Sequence, residues 1–391
     1  MKMSRYIVMD LVFYGNSLNY DQGSGNYQEL KKITKWDGRQ YTLVSRYALR
    51  YSMLDTADKF GLFELAEADN LVKSGKGDST VIQPATEFLL TGDILEYPEF
   101  DLFGYLITET KPQNFRTAPV KVGHAVSMTP FMYDAHFNAN IGLANRMRKR
   151  HGEMKPNPFT AEEHQTFYQY SIVVDVDSIG EIEVYISEKS DVTLADGKYK
   201  LESIEKVSSL KGDGLLIKLK KGKNKKEILQ SENVELCDFE KIDKVYRIRY
   251  RLKDDEKIKK RIMNLIKTVI NLKRSIKARD EDLSPKIMVM GLYRDSPYMT
   301  FKDRIVLLDE YTEEEYDEIE EHETENGRIL KVRHVTSKQR KPVFEVGGLE
   351  AESLDIDKVE EFVEGIFDDG ELSEVAVFTD PSIELRKDSG D

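Results

Sequence analysis

Apolar runs separated by polar stretches organise the N-terminal part of the chain. The run Tyr6–Tyr14 is mostly β-branched and aromatic, which predicts a buried strand. A polar loop of 26 residues, Gly15–Gln40, follows and carries four glycines and three asparagines. The next segment, about Tyr41–Phe63, is predicted to be a helix. A loop this long is uncommon in a compact domain unless it is functional or disordered, so it is the first candidate functional segment.

The rest of the chain alternates predicted strands with one strongly periodic helix. Strands are predicted at Glu87–Thr91, Leu102–Thr108, Phe167–Val176, Tyr246–Leu252, Ile287–Tyr293 and Glu374–Thr379, a hairpin over Leu215–Lys226, and helices over Asp255–Arg279 and Asp355–Phe367. With the excursions left aside, the order is strand, helix, strand, strand, helix, strand. This order predicts an α+β fold with a ferredoxin-like or RRM-like core that is interrupted by long insertions.

Composition indicates the size of the hydrophobic core and the cellular compartment. The chain has 391 residues, of which 40% are hydrophobic, so a large core is expected. Apolar runs long enough to span a membrane are absent, and Met1–Ser4 leads into a strand without a signal-peptide pattern. The single cysteine, Cys237, permits no internal disulfide and has no metal-binding spacing. We therefore expect a cytoplasmic protein that does not span a membrane and that binds no metal ion or cofactor.

The net charge of −13 is unevenly distributed. Residues 305–391 contain 27 acidic and 9 basic side chains, whereas residues 1–304 carry a net charge of +5. Salt screens charges over about 8 Å at physiological ionic strength, so a distant acidic region does not cancel a basic groove. The acidic composition therefore does not exclude nucleic acid as a ligand.

The segment Lys111–Lys155 combines cations with apolar side chains. It holds eight Lys or Arg against two acidic residues, three prolines and no clear periodicity, and its cations peak in 146–150. Cations bind phosphates, and aromatic or thioether groups stack on splayed bases at about 1–3 kcal/mol per base. The segment is therefore a candidate nucleic-acid interface. The alternative is an irregular subdomain whose apolar residues are core and whose charges are solvated.

A second candidate lies where the predicted first helix follows the loop. Arg46 and Arg50 are one turn apart, and Ser45 lies in an early turn of the helix. Two cations and a hydroxyl beside a glycine-bearing loop favour anions, above all phosphates. The alternative is a solvated helix face under a mobile loop.

Signals for catalysis are weaker. The six histidines are scattered, although His124 and His136 could act as acid and base on RNA. Asp21 and Asp37 could serve a metal or act as a general base, but single loop aspartates are more often turn residues. The lysine-rich tip 218–226 fits a solvated hairpin end, with DNA contact as the second interpretation. The acidic stretch 310–325 fits a role in solubility, with the basic face of a partner as the alternative.

Several motifs occur together in the order of a known family. They are a strand followed by Gly15–Asn19, the helix motif Val44–Arg50, Phe100–Tyr105, Arg116–Lys121 leading to Phe131, and Phe167–Tyr170 with Asp175. In these motifs the chain resembles the DevR group of the RAMP superfamily, the repeated backbone subunit of type I-B CRISPR Cascade surveillance complexes. The resemblance covers most of residues 4–295, and the 181–244 insertion and the acidic C-terminus match nothing in it.

The resemblance implies a palm with a ferredoxin-like core, fingers and a thumb. On this interpretation residues 1–110 are the first part of the palm with the finger loop 15–40, 111–165 a thumb-like basic insertion, 166–180 a palm strand, 181–245 a β-rich insertion, 246–309 the second part of the palm and 310–391 an acidic C-terminal region. Palm phosphate contacts would come from Ser45, Arg46 and Arg50, and Met128 or Phe131 would wedge between bases. The full set of expected RNA-binding residues is Asn16, Asn19, Arg39, Ser45, Arg46, Arg50, Arg116, Lys121, His124, Met128, Phe131, Arg146, Arg148 and Lys149.

The implied function is a non-catalytic subunit that oligomerises along a guide crRNA. Base pairing between guide and target would read sequence, while the protein grips backbone and shape. The implied partners are the guide crRNA, the paired target DNA strand, further copies of the chain, the 5′-handle-binding RAMP subunit, the large subunit and a recruited helicase–nuclease. The alternative is a RAMP-type endoribonuclease acting on guide or target RNA. A transcriptional autoregulator is a third interpretation, although nothing resembles a helix-turn-helix.

Overall fold

The computed structural model describes residues 4–386, except 76, 78–79, 154–155, 210–211, 310–311, 324–328, 340 and 350. The described chain is mixed α/β and consists mostly of strands. Its helices are α1 (Arg46–Lys59), α2 (Thr86–Thr91), α3 (Pro98–Phe103), α4 (Ile141–His151), α5 (Asp255–Ile270) and α6 (Val359–Glu364). None of these helices is both long enough and apolar enough to cross a membrane.

The strands of the first half alternate with α1 to α4. They are β1 (Arg5–Asn16), β2 (Tyr27–Gln28), β3 (Lys32–Thr34), β4 (Gln40–Val44), β5 (Leu71–Ser74), β6 (Val81–Pro84), β7 (Tyr105–Ile107), β8 (Asn114–Arg116), β9 (Val120–Val122), β10 (Ala125–Ser127), β11 (Ala135–Ala139), β12 (Pro158–Glu162) and β13 (Gln165–Asp175).

The second half begins with a β-rich insertion. Its strands are β14 (Glu181–Ser187), β15 (Asp191–Leu194), β16 (Gly197–Ser209), β17 (Gly212–Lys221), β18 (Asn224–Leu229), β19 (Val234–Ile242) and β20 (Val245–Leu252). After α5 come β21 (Lys273–Ile276), β22 (Arg279–Asp282), β23 (Ile287–Arg294), β24 (Ile305–Asp309), β25 (Thr312–Glu323), β26 (Ile329–Gln339), β27 (Val343–Val346), β28 (Glu352–Asp355), β29 (Leu372–Thr379) and β30 (Glu384–Arg386).

One large sheet organises the fold. Its strand order is β28-β29-β23-β1-β13-β10-β4-β3, and β9 also pairs with β13. The strand β1 lies between β13 and β23 and is antiparallel to both, and only the β28–β29 pair at the edge is parallel. Since β1, β13 and β23 are flanked on both edges, their sequences are the apolar runs that predict buried strands, and these predictions are confirmed.

The two faces of this sheet are covered differently. On one face Ile7 and Met9 of β1 join a core with residues of α1 and α5, which pack on each other. On the other, helix-free face, Val8 and Val12 pack against Phe344 and other apolar residues of the C-terminal region. Each fully buried aliphatic side chain contributes about 1.5–3 kcal/mol, so both layers stabilise the sheet.

Helix α1 begins later than the sequence predicts. The segment Gln40–Val44 is strand β4, whose Tyr41, Thr42 and Val44 are buried, and the helix starts at Arg46. The Ser45 hydroxyl caps it by accepting the N–H of Ala48 at 3.2 Å. The predicted start at Tyr41 is wrong because the aromatic and β-branched residues of this segment favour a strand at the sheet edge. Ser45 is the N-cap and therefore sets the first residue of the helix.

Two other predicted boundaries are corrected. Helix α5 ends at Ile270 instead of Arg279, and the remaining residues form the β21–β22 hairpin, whose turn residues Lys277 and Ala278 have positive φ. The strand predicted at Glu87–Thr91 is helix α2. The strand predicted at Leu102–Thr108 is divided between α3 and β7, and Gly104, at φ 74°, ends the helix.

The C-terminal region is part of the fold. Strands β28 and β29 extend the large sheet beside β23, and β24, β27 and β30 form a small sheet. The strand predicted at Glu374–Thr379 is confirmed within β29, and the helix predicted at Asp355–Phe367 is confirmed around α6. The acidic region is therefore not an appendage, because Ala376 and Phe378 are buried in the core.

Candidate nucleic-acid interface

The loop Gly15–Gln40 is held against the sheet by specific bonds. The buried carboxylate of Glu162, in β12, accepts hydrogen bonds from the Leu30 N–H at 2.7 Å and the Lys32 Nζ at 2.5 Å. The Asn19 Oδ1 accepts the Ser45 N–H at 2.9 Å, and β2 pairs in parallel with β12. The loop is thus an ordered ridge that joins the start of α1 to β12.

The start of α1 places two predicted site residues together. The backbone N–H of Arg46 donates to the Nδ1 of His124 at 3.0 Å, and the exposed Arg46 guanidinium lies 5.0 Å from the ring centroid of Tyr47. A neutral His124 that accepts at Nδ1 carries its proton on Nε2, where it can donate to an anion. Lys121 is exposed on the neighbouring strand β9. Arg46, His124 and Lys121 form what we call the α1 corner.

The structure separates Arg50 from Arg46. The Arg50 Nη1 donates to the backbone oxygen of Phe103 at 3.1 Å, and its guanidinium lies 5.3 Å from the Phe103 ring centroid. Burial lowers the pKa of this guanidinium. Arg50 thus bonds towards α3 through its Nη1, and its predicted phosphate contact stays a prediction.

Arg116 is buried and fully engaged. Its side chain is 8% exposed, and its Nη2 lies 2.5 Å from Asp101 Oδ1 and donates to Ser178 O at 2.7 Å. The same carboxylate is bonded by Arg261 of α5, and Arg116 also donates to Glu181 O. The prediction of an RNA contact is wrong for Arg116, because its donors are committed to joining β8, α3 and α5.

The strands β11 and β12 and helix α4 form what we call the basic module, residues 135–162. The Asn140 side chain caps α4 by accepting the Leu143 N–H at 3.3 Å, and Arg146, Arg148 and Lys149 are exposed along it. In α4 only Ala144 is buried. Large apolar side chains in and beside the module are exposed, namely Met132, Tyr133, Phe137, Ile141, Leu143 and Met147. Exposed apolar surface mixed with cations is typical of a binding surface.

The two predicted wedge residues are not the exposed ones. Phe131 is half-buried, with its ring centroid 5.6 Å from that of His164 and the Lys32 Nζ 4.7 Å from its ring. Met128 packs against the apolar cluster of the helix-free face. The neighbours Met132 and Tyr133 are 82% and 73% exposed, so they are more accessible to a ligand than the two predicted wedges. Their place in a proline-bearing segment without periodicity gave no sequence signal that could separate them from Met128 and Phe131.

The loop, the start of the basic module and the segments that flank the module share a cleft of about 1040 Å³, which we call the loop cleft. The cleft brings together the predicted residues Asn16 and Arg39 with Tyr133, His136 and Arg279. Arg39 keeps a bond from its Nε to Asp37 Oδ2 at 2.8 Å. Arg279 was missed because the sequence predicts it at the end of a helix, whereas it lies in β22. The lining combines cations, aromatic rings and amide groups with the carboxylates of Asp134 and Glu163, and Glu163 lies 3.7 Å from the Nη1 of Arg279.

The residues considered for catalysis have other partners. Asp37 accepts the backbone N–H of Arg39 at 2.9 Å and the Tyr41 hydroxyl at 2.8 Å, and the Arg39 backbone bond is the largest cause of its lowered pKa. Asp21 lies 3.8 Å from the Lys31 Nζ, and His136 Nε2 lies 3.3 Å from Asp134 Oδ1. Within the described ranges, no cluster of three or more His, Cys, Asp or Glu side chains could hold a metal ion.

The lysine-rich hairpin β17–β18 carries paired charges. Lys218 lies 2.7 Å from Glu205, Lys226 lies 3.1 Å from Asp196, and Lys225 lies 3.6 Å from the carboxylate of Glu202. Exposed pairs of this kind contribute little stability, but they reduce the positive field that would attract DNA. The hairpin is confirmed, and its charges fit a solvated surface.

Comparison with known proteins identifies the family of this chain. The family model described as "CRISPR-associated negative auto-regulator DevR/Csa2" matches residues 7–316. The chain belongs to the DevR/Csa2 family. A curated relative of this DevR/Csa2 chain, "CRISPR-associated protein Cas7/Cst2/DevR" of Myxococcus xanthus (strain DK1622), is 26% identical over 164 residues, which cover 40% of this chain and 52% of the relative. The chain thus spans about half the length of that relative.

Two solved structures are also similar to this DevR/Csa2 chain. A chain of a structure described as "CRISPR RNA-guided surveillance complex, pre-nicking" has a TM-score of 0.37 and 10% identity, and the match covers 75% of this chain and 80% of that chain. A chain of a second "CRISPR RNA-guided surveillance complex" has a TM-score of 0.35 and 11% identity, with 76% and 72% covered.

Proposed function

We propose that this DevR/Csa2 chain is a non-catalytic backbone subunit that binds guide crRNA in a type I-B Cascade complex in the cytoplasm. The observation that carries the proposal is the loop cleft, which the ordered loop forms with the start of the basic module and the segments that flank it. Single-stranded nucleic acid is bound without sequence preference by grooves that combine cations with aromatic stacking groups. Arg39, Arg279 and Tyr133 supply both in one cleft.

The proposed scaffold is a ferredoxin-like palm. The order β23-β1-β13-β10 in the sheet, with α1 and α5 packed on one face, supports this assignment. The loop ridge would be the fingers, and the basic module, residues 135–162, would be the thumb. The earlier part of the predicted thumb includes β9 and β10, which belong to the large sheet and so to the palm.

The proposed partners follow from this role. Further copies of the chain would line up along the guide, with the target DNA strand, the 5′-handle-binding RAMP subunit, the large subunit and a recruited helicase–nuclease completing the assembly. The exposed Ile141, Leu143 and Met147 of α4 supply apolar area for contacts that form only in the assembly.

The test is RNA binding by the purified chain at several salt concentrations. Arg146→Ala with Lys149→Ala removes two exposed cations of α4, and each lost phosphate contact flattens the slope of log affinity against log salt by about 0.7 for a single strand. The control is Lys218→Ala with Lys226→Ala, which removes cations already paired to carboxylates. Sedimentation with a guide-length RNA should give a discrete multi-copy assembly. A salt slope that is unchanged in the α4 variant, or is flattened equally in the control, would contradict the proposal.

A further inference from the structure

The β21–β22 hairpin is bonded to the root of the loop Gly15–Gln40. Arg274 of β21 is 9% exposed, and its Nε donates to the backbone oxygen of Leu18 at 2.8 Å. Its Nη1 donates to the Ala48 oxygen at 3.2 Å and to the Ser52 hydroxyl at 2.9 Å, both in α1. A buried cation is unfavourable unless it is bonded, so these bonds fix its place. One guanidinium therefore joins the hairpin, the loop and the first helix.

The tip of the hairpin contacts a more distant part of the loop. The Lys277 Nζ lies 3.2 Å from the ring centroid of Tyr20 and donates to the side chain of Gln28. A cation over an aromatic ring is attracted by the ring quadrupole. Tyr20 and Gln28 lie on the two arms of a turn in which the Asp21 N–H donates to the Glu29 oxygen at 2.8 Å. Lys277 therefore connects both arms of this turn to the hairpin.

The hairpin tip has a backbone conformation that its sequence disfavours. Lys277 and Ala278 form the two-residue turn, with φ values of 47° and 61°. Turns with two positive φ values favour Asn-Gly, because a Cβ is disfavoured in this conformation. Such conformations persist where the surroundings determine them, and they concentrate at functional sites. The contacts of Lys277 with the loop supply part of this constraint.

The same hairpin reaches the loop cleft. Arg279 of β22 lines the cleft together with Asn16 and Arg39 of the loop. The Arg279 Nη2 donates to the Asn16 oxygen at 3.3 Å, and the Glu281 carboxylate accepts the Asn16 N–H at 3.4 Å. The hairpin thus bonds the loop at its root, at its turn and at the cleft. Its position therefore sets the position of the loop side of the cleft.

We propose that the β21–β22 hairpin is a clamp that fixes the loop before RNA binds, with Arg274 as its anchor and Lys277 as the positioning residue at its tip. A binding segment that is ordered in advance does not lose that freedom when the ligand arrives. The inference rests on the proposed function, because it assumes that the loop cleft binds RNA. The clamp raises affinity for any single strand and adds no base preference.

Hydrogen exchange of the free chain tests the clamp. Lys277→Ala should speed amide exchange in residues 20–30 by about tenfold, because a lost cation–π contact shifts a local opening equilibrium to this extent. Exchange in β1 and β13 should not change. Lys277→Arg keeps the cation and should keep the wild-type exchange. The matched control is Lys273→Ala, which removes an exposed lysine of the same hairpin that pairs with Asp282 at 2.9 Å.

Two exchange results would overturn the inference. One is unchanged exchange in residues 20–30 of Lys277→Ala. The other is exchange that rises equally in β1 and β13, since this would make Lys277 a residue of general stability with no particular effect on the loop.

RNA binding tests whether the clamp serves the loop cleft. Lys277→Ala should weaken binding of a uridine strand of about twelve nucleotides, within the site sizes of single-strand binders, by about tenfold. The reason is that RNA must then order about one further backbone residue. The slope of log affinity against log salt should stay unchanged, because no phosphate contact is lost. Lys273→Ala should match the wild type in both quantities.

The salt slope separates positioning from direct contact. A slope flattened by about 0.7 in Lys277→Ala would make Lys277 a phosphate ligand and would overturn the inference, while the proposed function would stand. Wild-type affinity in Lys277→Ala would have the same meaning. Absence of RNA binding by the wild-type chain would overturn both.

Discussion

The buried carboxyl of Asp10 should make the stability of the fold depend on pH in a defined window. Burial is the largest cause that raises the pKa of Asp10 from 3.8 to about 7. Between these two values the folded chain holds a proton that the unfolded chain has released. The free energy of unfolding should therefore fall as pH rises from about 4 to about 7, because ionisation in the folded state is unfavourable.

The size of the effect follows from the shift. One pKa unit corresponds to about 1.4 kcal/mol. Above pH 7 the full shift therefore lowers the free energy of unfolding by about 4 kcal/mol. Part of this loss has already occurred at pH 5, because Asp10 is ionised there in the unfolded chain. The difference between pH 5 and pH 8 should be about 2–3 kcal/mol. Asp10→Asn keeps the shape and removes the titration, so the variant should lose this component.

Urea denaturation followed by circular dichroism at pH 5 and pH 8, at constant ionic strength, measures the difference. The quantity to compare is the change in the free energy of unfolding between the two pH values, in the wild type and in Asp10→Asn. Asp58→Asn, at an exposed position on α1, is the matched control and should behave as the wild type. The reasoning is refuted if Asp10→Asn shows the same pH dependence as the wild type within about 0.5 kcal/mol.

Three further outcomes are expected. Arg46→Ala should weaken RNA binding and flatten the slope of log affinity against log salt by about 0.7 without loss of stability. Arg50→Ala should instead lower the melting temperature, because the Arg50 guanidinium bonds α3. Equal salt slopes for the two variants would contradict the different roles assigned to the two arginines. Arg116→Ala should destabilise the fold by about 3 kcal/mol in urea denaturation, because it removes one partner of a buried carboxylate; a change under about 1 kcal/mol would show that the pair is dispensable. Incubation of guide or target RNA with the chain and divalent metal should give no cleavage. Metal-dependent cleavage that Asp21→Ala or Asp37→Ala abolishes would establish the endoribonuclease alternative.

The strands that could be predicted are those whose burial is evident from the residues of the strand itself. In β1 and β23 alternate apolar residues meet the helix layer and the C-terminal layer, so both strands are mostly apolar. Helix α5 could be predicted because Ile258, Ile262 and Leu265 repeat at helical spacing. These signals depend only on residues within the element.

The failures concern partners that lie far away in the sequence. Nothing near Arg116 in the sequence shows that it pairs with Asp101, a carboxylate that it shares with Arg261, so its charge is misread as a surface cation. The exposed Trp36 and the buried Asp10 line one cleft with Lys302 of the C-terminal region, which no local pattern in the sequence indicates. At the candidate interface, the α1 corner and the exposed α4 cations could be predicted, whereas the loop cleft could not.

The position of β1 between two late strands has a consequence for synthesis on the ribosome. Val12 pairs with Ile287, and on the other edge with Gln169, so neither edge can be covered until long stretches of chain have emerged. Such non-local pairing slows folding, and an uncovered apolar strand is prone to intermolecular pairing. The nascent chain thus exposes at least one edge of this apolar strand until β23 has been synthesised. Expression of this chain should therefore depend on chaperones and on slow synthesis more than its acidic composition suggests.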